Sequence, residues 1–170
     1  MNANDRASLP PRVQQLVERL QLRPHPEGGY YREFFRSAHH VTPDDGREPR
    51  SAITSIDFVL ARRQHSAWHR VSSDEAWHLL EGGPLRLWLL SPSFDALSHV
   101  DLGALGEGEL VPRHVVPGHW WQAAELLGDY AYVGATVAPG FEFADFGFLR
   151  TEAAGVLALR RLAPDLLRML

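Results

Sequence analysis

The 170-residue chain contains no cysteine, and all 17 of its basic residues are arginine, so lysine is absent as well. Each absence closes off a chemistry. Without cysteine there is no disulfide framework, no thiolate nucleophile and no thiolate zinc site. Without lysine there is no Schiff base, no attachment point for pyridoxal phosphate and no Walker-type phosphate loop. No apolar run approaches the roughly 20 residues that cross a bilayer, and the opening MNANDRASLPP is polar and broken by proline, unlike a secretory signal. A soluble, intracellular protein is expected, in the cytoplasm. The 17 basic residues are scattered among 21 acidic ones for a net charge of -4, with no basic stripe. Neither nucleic acid nor membrane is expected as a partner.

What is present is a chain with 45% apolar residues, enough for one domain spanning residues 1–170 with its own core. Pro10 and Pro11 open a helix predicted over about 11–21, with Val13, Leu16, Val17 and Leu20 on one stripe. PHPEGG at 24–29 is a tight turn, YYREFFR at 30–36 an aromatic strand, and 41–51 a polar loop. Extended segments are then predicted at about 52–60, 64–69, 75–81, 84–90, 97–102, 112–116, 119–124, 130–138 and 142–148. Gly- and Pro-rich turns at 82–84, 91–95, 106–109, 117–118 and 139–140 separate most of them. Short strands at this spacing predict an all-β sandwich or barrel, occupying about 30–149, followed by a helical tail over about 152–170 broken at Ala163-Pro164.

Two segments carry the chemistry. WHRVSSDEAWHLLEG at 68–82 holds His69 and Glu75, with Glu75, Trp77 and Leu79 on one face of a strand. RHVVPGHWWQAAE at 113–125 turns at Pro117-Gly118 and then carries Gln122. Both can reach the mouth of one barrel, which predicts a ligand pocket there. Alternation sets His78 on the face opposite Glu75, as a structural histidine. Histidines 39, 40, 65, 99 and 114 read as surface or loop. Trp68, Trp77, Trp120 and Trp121 cluster around the two segments, and indoles in a cleft stack on sugars or other flat ligands, although core packing is expected for at least two of them.

HRVSSDEAWHLLEG resembles the first signature of the cupin superfamily, with Glu75 and Gly82 at that signature's spacing. Pro117 to Gln122 has the length of the second signature, but His119 stands where Gly is expected and Gln122 where His is expected. With PHPEGGYYRE at 24–33, SAWHRVSSDEAWH at 66–78 and VGATVAPGFEFADF at 133–146, the chain from about residue 13 to 149 resembles a small cupin branch known as a domain of unknown function. The resemblance implies a double-stranded β-helix jelly roll, a homodimer, and a shape similar to germins and dTDP-sugar epimerases.

Cupin metal sites use two His, a Glu and a further His. Here the matching candidates are His69, Glu75 and Gln122, a weak donor set for a divalent metal. The expected function is therefore binding of a small polar organic ligand, a carbohydrate or sugar nucleotide among the candidates, with metal-independent proton transfer as in an epimerase or isomerase and no cofactor required. His69 is expected as base with Glu75 as its partner, and Gln122 and Trp77 line the pocket. Arg32 is expected to reach an anionic ligand, and Tyr132 or Tyr130 to serve as the acid. A metal-dependent enzyme and a non-catalytic binding module are the alternatives, the latter with Glu75 and His69 simply hydrogen-bonded to each other. Glu142 and Asp145 are expected to anchor the final strand.

Overall fold

Pro11 sits at the first helical position, where its missing N–H costs nothing, and α1 runs Pro11–Arg19. It buries Val13, Leu16 and Val17, and it stops short of the expected end because Gln21 enters the left-handed region at φ 55°. The computed structural model describes residues 9–106 and 108–170. Residues 1–8, on which part of the reading against a secretory signal rests, and Glu107 of the 106–109 turn lie outside the described residues.

The strands are β1 (Arg23–Pro24), β2 (Tyr30–Arg36), β3 (His40–Val41), β4 (Arg50–Ser51), β5 (Thr54–Ala61), β6 (His65–Arg70) and β7 (Asp74–Gly82). There follow β8 (Leu85–Leu90), β9 (Leu97–Leu102), β10 (Arg113–Val116), β11 (Trp121–Leu126), β12 (Tyr130–Ala138) and β13 (Gly147–Phe148). A six-stranded sheet in the order β1-β2-β5-β12-β7-β10 faces a five-stranded sheet in the order β13-β6-β11-β8-β9, every ladder antiparallel. This is the expected all-β jelly roll with its N-terminal helix. The C-terminal tail is α2 (Ala153–Leu162) and a 3₁₀ turn at Pro164–Met169, divided at Ala163-Pro164.

Strand alternation divides the apolar residues among three layers. Phe58, Leu60, Trp77, Leu85, Leu87, Leu89 and Val133 meet between the sheets. Trp68, Leu90 and Trp121 point outward from the five-stranded sheet and are covered by Leu149, just after β13, and by Leu159, Leu166 and Met169 of the tail. On the other outer face, α1 packs Val13, Leu16 and Val17 against Tyr30, Val59 and Ala61. The indoles of Trp68, Trp77 and Trp121 are all nearly or fully buried.

Two expectations are corrected. The segment 41–51 is not only a loop, because His40–Val41 and Arg50–Ser51 pair as a two-stranded ribbon at its ends and Arg50 is buried. The segment 142–148 is not one strand. Phe143–Asp145 forms a 3₁₀ turn before the short β13, and its Asp145 is gripped by Arg47 at 3.2 Å and by Arg50. That grip fixes the next residue, Phe146, over the barrel mouth.

Candidate functional site

Two glycines decide how the first turn enters the barrel. At Gly28 (φ 112°) a Cβ would stand 2.2 Å from the His65 carbonyl oxygen, and at Gly29 (φ 69°) one would stand 2.6 Å from that of Val59. Only glycine lets the 24–29 turn wedge between β5 and β6. There the Glu27 carbonyl accepts the Ala67 N–H at 2.7 Å, and the Glu27 side chain is carried into the interior, 7% exposed.

The facing strands complete the group. His69 and Gln122 are direct cross-strand neighbours on β6 and β11. Glu75 and Trp77 project from β7 in the opposite sheet, both buried. His69 Nδ1 is 2.7 Å from the Ala67 carbonyl, which can only accept, so that nitrogen carries the proton and the lone pair is left on Nε2. Nε2 faces Glu27 Oε2 at 3.1 Å. Phe146 stacks on the imidazole, centroids 5.4 Å apart and planes 18° from parallel.

Burial governs the charges. It pushes the Glu27 carboxyl up to about 8, and Glu75 up to about 7, with Glu27 adding to the rise and His69 and Gln122 opposing it. Burial also holds the His69 imidazolium below its ordinary value, against an opposing pull from Glu75. His25 is brought down to about 3, chiefly by burial and further by His69 and Arg23. At neutral pH the centre is therefore a neutral imidazole beside a protonated Glu27.

These shifts predict a pH dependence of stability. The two carboxyls bind protons more readily folded than unfolded, so their contribution is lost as pH rises through about 7 to 8. The two histidines bind protons less readily folded, so theirs is lost as pH falls below about 6.5. The effects oppose one another between about pH 4.5 and 6.5, and only the carboxyls act above that range. Thermal melts are expected to show the midpoint falling from pH 6.5 to 9, and Glu27→Gln to remove most of that slope. A rising midpoint over the same range would contradict the assignment.

Around the centre lies a cavity of about 150 Å³. His69, Glu75, Glu27, His25, Tyr31 and Arg23 line it, with Ile56, Val71, Val137, Phe141, Phe143 and Phe146 as apolar walls. Four sequence-predicted residues are elsewhere. Gln122 is fully buried behind Glu75, donating to its carboxylate at 2.5 Å and accepting the Trp77 indole N–H at 3.0 Å. Trp77 packs in the core edge-on to Phe58. Arg32 and Tyr132 lie on the outer face of the six-stranded sheet, converging on Asp57 at 3.8 Å and 2.7 Å. Strand register is the cause, since residues 30 and 32 of β2 face α1 and solvent while Tyr31 faces the cavity. Tyr130 is likewise outward, donating to Glu81.

His69 and Glu75 are brought to one cavity but not to each other's hydrogen bonds: His69 bonds the Ala67 carbonyl and has Glu27 at 3.1 Å, and Glu75 bonds Gln122. Glu27 and His25 were not among the sequence-predicted residues. The candidate metal donors do not fit a shared ion, because Gln122 lies behind Glu75 with both ends of its amide engaged and the free lone pair of His69, on Nε2, faces Glu27. Among the described residues no three His, Asp or Glu side chains are spaced to hold a metal. Glu142 and Asp145 are structural, pairing with Arg36 and with Arg47 and Arg50.

No helix among the described residues is long and apolar enough to cross a membrane. The chain is 29% identical to uncharacterized protein YML079W of Saccharomyces cerevisiae, over 84% of this chain and 78% of that one. A hypothetical protein from Leishmania major has a similar structure, with a TM-score of 0.75 and 32% identity over 88% of this chain and 91% of that one. Protein SO0799 from Shewanella oneidensis has a TM-score of 0.74 and 29% identity, over 97% and 92%. Residues 14–149 match the family described as Cupin superfamily (DUF985), which spans the strands and every side chain of the cavity, and the chain belongs to that family.

Proposed function

We propose that the cavity binds a small polar organic molecule and that His69 and Glu27 transfer protons at it, an isomerase- or epimerase-type reaction that runs without a metal. The observation that supports this most is the His69 arrangement: one nitrogen locked as a donor to Ala67, the other an unprotonated base 3.1 Å from a buried carboxyl. A neutral carboxyl is a donor where an ionised one is not, so Glu27 supplies the acid and His69 the base. Ligand entry separates the two.

The step balances within the pair. His69 Nε2 takes a proton from a carbon next to a carbonyl, the C–H electrons form the enol double bond, and Glu27 passes its proton to the carbonyl oxygen. Where the carbon that lost its proton carries a hydroxyl, His69 returns the proton on the same face to the former carbonyl carbon while Glu27 takes the hydroxyl proton, which moves the carbonyl by one carbon and restores both side chains. Glu75, held through one oxygen by Gln122, lines the same wall. Phenylalanines rather than indoles form the apolar wall, since Trp77 and its neighbours are core residues.

Incubation of the protein in deuterated water with small carbonyl compounds tests this directly. Loss of the proton signal at the carbon next to the carbonyl, faster than in buffer, is the expected result. Compounds that bind in the cavity without any exchange would leave a binding module in place of an enzyme.

A further inference from the structure

We infer that the molecule taken up by this cavity carries one carboxylate, and that Arg23 and His25 receive it. The inference rests on the cavity being the ligand site, and it adds the class of ligand. Arg23 lies directly across from Tyr31 in the β1–β2 ladder. Its guanidinium carbon is 4.9 Å from the centre of the Tyr31 ring, and the His25 ring meets the same ring edge-on at 4.3 Å. One aromatic ring thus holds both groups at the cavity wall.

The other guanidinium of that wall is already matched: Arg36 is bound by Glu33 at 2.9 Å and by Glu142 at 2.8 Å. Among the described residues no carboxylate lies within 4.0 Å of the Arg23 guanidinium nitrogens. His25 adds a donor without adding charge. Its Nδ1 accepts the Glu27 N–H at 3.2 Å, so its proton is on Nε2. A planar guanidinium fork with a neutral N–H beside it suits a carboxylate. A phosphate dianion asks for a second cation, and a neutral sugar leaves Arg23 without a counter-charge. Ile56, Val71, Val137 and Phe141 then face the compact carbon body of the acid.

The test uses matched probes: benzoate against benzamide, cyclohexanecarboxylate against cyclohexanecarboxamide, and phenyl phosphate. Saturation-transfer NMR with titration reads their affinities for the wild type, Arg23→Gln and His69→Gln. The acids are expected to bind at least about tenfold more tightly than their amides. Arg23→Gln, an exposed position that leaves the core untouched, is expected to erase that preference, and His69→Gln to retain it. Equal binding of acid and amide, tighter binding of phenyl phosphate than benzoate, a preference that survives Arg23→Gln, or no carboxylate binding at millimolar concentration would each overturn the inference. Carboxylate preference without hydrogen exchange would sink only the proton-transfer reading. Exchange on a ligand bound no better than its amide would sink only this one.

Discussion

His69→Gln is expected to lower the rate of ligand hydrogen exchange by about 10²- to 10⁴-fold, the usual contribution of a positioned general base. Glutamine is the informative replacement because it is polar, of similar reach and able to hydrogen-bond, yet it cannot accept a proton at neutral pH. His69 is 2% exposed, so a small apolar residue would leave both the Ala67 carbonyl and Glu27 without partners in the interior. Ligand affinity is expected to change only a few-fold, because binding falls to Arg23, His25 and the apolar wall. Exchange rates measured alongside saturation-transfer affinities separate the two effects. An unchanged exchange rate in a folded variant would remove His69 from the chemistry.

The second large effect is on stability. Trp77→Ala is expected to cost about 3–5 kcal/mol for the cavity left by a buried indole. A further about 1–3 kcal/mol follows from orphaning the Gln122 carbonyl oxygen that the indole satisfies. Against a total stability of about 5–15 kcal/mol, that sum brings the protein close to unfolding at ambient temperature. Trp77 is 1% exposed, meets Phe58 of β5 edge-on at 6.0 Å and donates to Gln122 of β11 in the opposite sheet, so its neighbours are held by both sheets and have little freedom to collapse inward. Trp77→Phe retains most of the ring contact and removes only the indole donor, so it is expected to lose much less. Denaturant midpoints of the two variants provide the check; equal losses would mean that the hydrogen bond, not the packing, dominates.

The architecture was legible because alternation with a period of two is a local signal. Leu85, Leu87 and Leu89 lie between the sheets while Leu90 turns outward to the tail, and the same pattern placed Glu75 and Trp77 on one inward face and His78 on the other. The site was legible only where its residues lay on such strands. His69 and Glu75 were found, whereas Glu27 and His25 sit in a six-residue turn whose glycines advertised only tight geometry. A carboxylate two residues from a histidine in that turn was the one available hint. What it lacked was the tertiary fact that β5 and β6 leave a slot for the turn.

The misplacements have the same origin. Arg32 and Tyr132 suit a pocket by residue type alone, but register puts both on the outer face beside Asp57. Gln122 and Trp77 were expected to line the cavity, but each satisfies the other's polar atom one layer behind it. Clustered tryptophans in sequence suggested a stacking surface, and the tail helix, remote in the chain, covers two of them instead. The Asp145 grip by Arg47 and Arg50 joins segments nearly 100 residues apart. No spacing rule reaches that far.

Nitrogen-15 NMR of imidazole-labelled protein across pH 6 to 9 tests the His69–Glu27 pair most directly. The predicted result is a neutral His69 with its proton on Nδ1 and a hydrogen-bonded, unprotonated Nε2 at pH 7, with a shift of the Nε2 resonance as Glu27 ionises near pH 8. A His69 protonated on Nε2, or shifted by a bound metal ion, would contradict it.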